Sequence, residues 1–163
     1  MKIVKTIDRA SQQRALDLAL LVFMEFEARD YSDEGIEEFK RSLKNPAYID
    51  NLCFYIAIEQ DEGIGMLATR NNGSHIALLF VDGRWQRKGI GRKLIEFALK
   101  DCDDSTMTVN SAPLAHEFYK KAGFEDTDVE QIKNGIRFIP MKRKICTRYA
   151  VSMQEALEST TGV

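Results

Sequence analysis

The chain is expected to fold as one α+β domain, a mixed α/β layered arrangement with a central sheet of about seven strands flanked by about four helices. Three observations carry that expectation. The apolar run Ile76-Ala77-Leu78-Leu79-Phe80-Val81 passes through Asp82-Gly83-Arg84-Trp85 into Gln86-Arg87-Lys88-Gly89-Ile90-Gly91. A run without alternation suits a strand covered on both faces. Directly after the glycines, Ile90, Leu94, Ile95, Ala98 and Leu99 recur at helical spacing. Hairpin turn signals at Asn71-Asn72-Gly73-Ser74 and Asn134-Gly135 are interleaved with such strand-to-helix crossovers.

From the N-terminus, Lys2 to Lys5 alternates and reads as a short first strand. Asp8 suits the N-cap of a helix reaching about Ala28. Ser32 caps a second helix, with Asp33 and Glu34 favourably placed in its first turn. Ile36, Phe39 and Leu43 share one face of it, and Asn45-Pro46 ends it. Cys53 to Ile58 is a strand, Asp61-Glu62-Gly63 turns, and Ile64 to Thr69 returns. Thr106 to Val109 alternates as a short strand. Pro113 opens the next helix and Gly123 stops it. Two strands flank Asn134-Gly135. Residues 1–144 make the domain. In the tail, 145–163, Tyr149, Met153 and Leu157 fit a short terminal helix.

With 163 residues the chain is long enough for one domain with a real core. A net charge of −2 and a pI near 5.8 argue against nucleic-acid binding. Cys53, Cys102 and Cys146 are widely spaced and form no metal-ligand cluster, which suits reduced thiols in the cytoplasm. No metal is expected. The run Ala15 to Phe23 is interrupted by Asp17 and followed by Glu25 and Glu27, so it reads as a core helix, not a leader or a membrane span.

The glycine turn carries the chemistry. The first N–H groups of a helix lack intrahelical partners, and the dipole there is positive. Gly89 and Gly91 allow a ligand close to that backbone, and Arg87, Lys88 and Arg92 add charge. Such a cradle suits a pyrophosphate. Leu94 stands where a dinucleotide fingerprint needs a small residue, and no Gly-Lys-Ser/Thr occurs. Further on, Asn110 precedes Ala115, Tyr119 and Gly123-Phe124. Gln86-Arg87-Lys88-Gly89-Ile90-Gly91 followed by this second motif resembles the GNAT superfamily of acyl-CoA-dependent N-acetyltransferases. The resemblance departs from the common pattern at Gly83, often proline, and at Arg87, often glycine.

That resemblance implies acetyl-CoA as co-substrate, gripped through Gln86, Arg87, Lys88, Gly89, Ile90, Gly91 and Arg92, and direct transfer to a primary amine of a small molecule or peptide. It implies that a backbone N–H near Phe80 or Val81 polarises the thioester carbonyl, and that the pantetheine arm lies between splayed strands faced by Asn110. Tyr119 would be the acid for the departing thiolate, since a phenol near pKa 10 is protonated at neutral pH. Glu25 and Glu27, on the segment that walls the acceptor site in the family, are the candidate bases. His75 stands ~20 Å of strand from Val81, and His116 reads as a surface residue. The acidic stretch Glu25 to Glu38 is either a solvated helix face or a wall attracting a cationic amine. A non-catalytic acyl-CoA-binding module and a protein-lysine or N-terminal acetyltransferase are the alternatives. Homodimerisation is common among such small enzymes.

Overall fold

The computed structural model describes residues 1–145. The expected terminal helix and Cys146 lie outside the described residues. Strands β1 (Lys2–Thr6), β2 (Cys53–Glu59), β3 (Glu62–Arg70), β4 (His75–Val81), β5 (Thr106–Ser111), β6 (Glu125–Asp126), β7 (Gln131–Lys133) and β8 (Ile136–Lys144) form one mixed sheet. The order is β1-β2-β3-β4-β5-β8-β6, with β7 pairing β8. Every pairing is antiparallel except β4 with β5.

Helix α1 (Arg9–Val22) starts where the Asp8 carboxylate accepts the Ser11 N–H at 2.8 Å. Helix α2 (Asp33–Ser42) starts at Ser32, whose hydroxyl accepts the Gly35 N–H at 3.2 Å. These caps satisfy donors that the first helical turn leaves unpaired. Asn45 ends the second helical region as expected and also caps a short α3 (Pro46–Ile49). Helix α4 (Ile90–Leu99) and helix α5 (His116–Lys121) cover the opposite face.

Two cores result, one on each side of the sheet. Leu16, Ala19 and Phe23 pack on Phe54, Met66 and Leu78 beneath α1 and α2. Leu94, Ile95 and Tyr119 pack on Leu67, Met107 and Met141 beneath α4 and α5. The apolar run of β4 serves both, but less evenly than a strand covered on both faces. Ile76, Leu78 and Phe80 are buried, whereas Ala77, Leu79 and Val81 are half-buried.

The cause is a break in the ladders. Ala68 pairs with Leu78 and Thr69 with Ile76, so Ala77 is an extra residue on β4. A bulge of this kind bends its strand and re-aims the residues beyond it. Pairing with β5 stops at the same place: only His75 with Thr108 and Ile76 with Val109 are matched. From Ala77 to Val81, β4 diverges from β5 and leaves a wedge-shaped gap in the middle of the sheet.

Candidate active site

The gap is the floor of a cleft of about 490 Å³ lined by β4, β5, the end of α1, α2, α5 and the β7–β8 hairpin. Ladder geometry fixes which backbone groups face it. The Asp82 N–H donates to the Ile64 carbonyl on β3 at 2.9 Å. N–H groups alternate sides along a strand, so the Phe80 N–H also points to β3 and the Val81 N–H points into the gap. The Val81 carbonyl lies on that same side and accepts Gln86 Nε2 at 3.0 Å. Of the two expected amide donors, the structure therefore favours Val81. Phe80 instead buries its ring beneath α2, edge-on to Phe39 at 5.8 Å.

Asp82 holds the following turn rigid. It caps the single 3₁₀ turn Gly83–Trp85 through the Arg84 N–H at 2.9 Å and clamps the Arg84 guanidinium at 2.9 and 3.1 Å. The chain then reverses through Arg87 (φ +60°) and Gly89 (φ +78°) into α4. No side chain caps α4, and its first intrahelical bond within the turn is Lys93 N–H to Gly89 carbonyl. The amides of Ile90, Gly91 and Arg92 thus point outward at the positive end of the dipole. Lys88 rests its ammonium over the Trp85 ring at 4.7 Å, and Arg92, in the first turn of α4, is exposed. Ile90 contributes only backbone here, its side chain being core.

The two glycines have different reasons. Gly89 supplies a left-handed backbone with open space around it. Gly91 was expected to admit a ligand, yet a Cβ there would stand 3.0 Å from Phe118 Cζ. Its smallness lets α5 pack against α4, which sets the position of Tyr119.

Tyr119 is buried, in edge contact with Phe118 at 5.1 Å and Phe124 at 5.4 Å. Burial holds its phenol well above the usual range, and the charge of Glu27 pushes the same way. Glu27 lies in a π-helical turn, Phe23–Glu27, that continues α1. Burial, with repulsion from Asp30, raises its carboxyl to about 7. Both residues line the cleft.

Glu25 does not. Residues two apart along a helical turn point to roughly opposite sides. Glu25 is exposed and sits beside the Gly83 turn, 3.8 Å from where a Cβ on that glycine would lie. Asn110 is exposed at the edge of β5 and also lines the cleft. His75 bonds to Thr108 at 2.7 Å, and burial with the Arg70 charge lowers it to about 4. His116 pairs with Asp126 at 2.6 Å, a tie between α5 and β6.

Most of the acidic stretch is engaged locally. Asp33 and Glu34 occupy the first turn of α2, Glu37 pairs with Lys40, and Glu38 with Arg41. Among the described residues no group of His, Cys, Asp and Glu could hold a metal ion, and no helix is long and apolar enough to cross a membrane.

The family model described as an acetyltransferase (GNAT) domain matches residues 27–145. The chain belongs to the GNAT acetyltransferase family. It is an acetyltransferase by the same comparison and by its likeness to the peptidyl-lysine N-acetyltransferase YjaB of Escherichia coli. The two are 30% identical over 110 residues, 66% of this chain and 69% of that protein. The fold matches a GCN5-related N-acetyltransferase from Rhodopseudomonas palustris with a TM-score of 0.75 at 19% identity, over 88% of this chain and 95% of that one. It also matches the PaiA N-acetyltransferase of Thermoplasma acidophilum, solved in complex with coenzyme A. The TM-score there is 0.70 at 18% identity, over 89% of this chain and all of that one (100%).

Within the GNAT chain, the structure assembles Phe80, Asn110, Tyr119 and Glu27 around one cleft, and sets Gln86 to Arg92 along the turn that leads into α4. Sequence reasoning had no means to find the π-helical turn that carries Glu27, since its residues, Phe-Met-Glu-Phe-Glu, are ordinary for an α-helix.

Proposed function

We propose that this enzyme moves the acetyl group of acetyl-CoA directly to a primary amine of a small molecule or a peptide. The diphosphate lies against the outward amides between Gly89 and Arg92, with Arg87, Lys88 and Arg92 supplying charge. The pantetheine arm occupies the gap between β4 and β5. The Val81 N–H donates to the thioester oxygen as it gains charge. Glu27, ionised above about pH 7, takes a proton from the ammonium of the acceptor, directly or through water, so that a neutral amine attacks. The C–N bond forms, the C–S bond breaks and Tyr119 protonates the thiolate; the second proton that the nitrogen loses as the amide forms passes through water to restore the phenol.

One observation carries this reading: a carboxyl shifted to about 7 and a phenol kept protonated face the same cleft beside unpaired backbone. Opposite proton roles need that separation of acid and base strengths. The relative named as a peptidyl-lysine N-acetyltransferase supports a lysine-type acceptor. The test is thiol release from acetyl-CoA across a panel of primary amines. Amine-dependent release with a matching acetylated product is expected. Tight binding of acetyl-CoA with no transfer to any amine would instead establish a binding module.

A further inference from the structure

Two glycines bridge the acceptor side of the cleft. Helix α2 forms one wall through Glu38 and Phe39, and the β7–β8 hairpin forms the facing wall through Lys133, Ile136 and Arg137. The walls meet at Gly35 and Gly135. A Cβ on Gly35 would overlap the Gly135 carbonyl group, whose carbon stands 2.8 Å from it. A Cβ on Gly135 would stand 2.6 Å from Ser32 Oγ and 2.9 Å from Gly35 Cα. A second tie runs nearby, from Tyr31 Oη to the Arg137 carbonyl at 3.4 Å. Arg137 is itself held by Glu130 through Nε at 2.9 Å.

Local structure explains only one of the pair. Asn134 (φ +53°) and Gly135 (φ +76°) make a two-residue turn whose second position favours glycine. Gly35 lies in the first turns of α2 without a left-handed backbone. Glycine in a helix is less favourable than alanine by roughly 0.5–1 kcal/mol. What Gly35 provides is the close approach of the two walls.

We infer that the Gly35–Gly135 contact determines acceptor specificity, confining the acceptor to an unbranched primary amine. The inference rests on the acetyl transfer proposed above. The cleft between these walls is lined by the apolar Leu78, Phe80 and Phe39 and by the carboxylates Glu27 and Glu38, with Arg70, Lys133 and Arg137 also on its lining. That pattern suits a methylene stem carrying a cationic head, as on a linear alkylamine or a lysine in an extended peptide. An amine mounted on a sugar ring is too wide to pass unless the walls part.

Gly35→Ala tests this, because alanine suits the helix backbone at that position while its Cβ meets the Gly135 carbonyl group and forces the two walls apart. The wild type is expected to prefer a linear alkylamine over an aminosugar in kcat/KM. The variant should narrow that preference by about tenfold or more, the scale on which a methylene-sized obstacle discriminates. Coenzyme A affinity by calorimetry should be unchanged. Tyr31→Phe removes the other tie without adding an atom and should move the preference in the same direction by less. It decides the matter if the alanine variant fails to bind coenzyme A. An unmoved preference in variants that bind coenzyme A normally, or a wild type that favours the aminosugar, overturns the bridge. Failure of the wild type to acetylate any amine overturns the transfer reading itself.

Discussion

On the proposed mechanism Glu27 ties activity to stability, and Glu27→Gln separates the two. Burial lifts the carboxyl from its ordinary 4.5 to about 7, with Asp30 contributing less. The folded protein therefore holds this proton more tightly than the unfolded chain does. The resulting stability is complete below about pH 4.5 and is lost as pH rises through about 7. At 1.36 kcal/mol for each pH decade the loss is at most about 3 kcal/mol. Water reaching a half-buried carboxylate through the open cleft reduces it to about 1–2 kcal/mol. Glutamine keeps the shape and cannot ionise. In urea melts near pH ~8.5 the variant should be the more stable by about 1–2 kcal/mol, and near pH ~4 the difference should vanish. Thiol release should fall ~10²–10⁴-fold, and the acid limb of kcat/KM near pH ~7 should disappear. Wild-type turnover, or a stability difference equal at both pH values, would refute Glu27 as the buried base.

Three further substitutions separate the roles around it. Tyr119→Phe should lower kcat by about 10²-fold or more while calorimetric affinity for acetyl-CoA stays close to wild type, because only the proton donor is removed. Gly89→Val should weaken coenzyme A binding by at least about tenfold. The space around this residue is open, so that loss would come from the left-handed backbone, worth about 1–2 kcal/mol, that valine resists. Gly91→Ala should cost about 1–3 kcal/mol in thermal or urea melts by overpacking against Phe118, and adding Phe118→Leu should recover part of it.

The sequence made the strand β4, the turn after it and the helix α4 legible because three independent signals agree there: a long apolar run, a glycine pair and helical periodicity. It placed Tyr119 and Asn110 only through resemblance to a family, since neither stands out by spacing. Short elements escaped. Strand β6, with two residues, and α3, with four, are too brief to show a period. The β2–β3 turn was expected at Asp61-Glu62-Gly63, but the left-handed positions are Gln60 and Asp61, and β3 begins at Glu62. Gly63 drew the expectation because glycine is the usual turn signal, whereas here it lies within the strand. Which of Glu25 and Glu27 faces the cleft was illegible for another reason. It depends on which way the end of α1 turns, and that is decided by packing of Phe23 against Tyr31 and Phe39 at 5.3 and 4.0 Å.

The extra residue at Ala77 bears most directly on chemistry. It falls where the pairing of β4 with β5 ends, just past Ile76, and where the central sheet opens. With it, the Val81 N–H is left facing a gap and the half-buried Leu79 and Val81 are left at its edge. Unpaired backbone inside a fold is costly, and natural proteins keep it where something else binds. The same holds at the uncapped start of α4, where three amides point outward. The two sets of donors flank one turn, from Val81 to Ile90, stiffened by the Asp82–Arg84 clamp and the bond from Gln86 to the Val81 carbonyl. A ligand with an amide-bearing arm at one end and a diphosphate at the other satisfies both sets at once. A simple nucleotide satisfies only the second, and on the proposed function it is this pairing of sites, more than either glycine, that would select a pantetheine-bearing thioester.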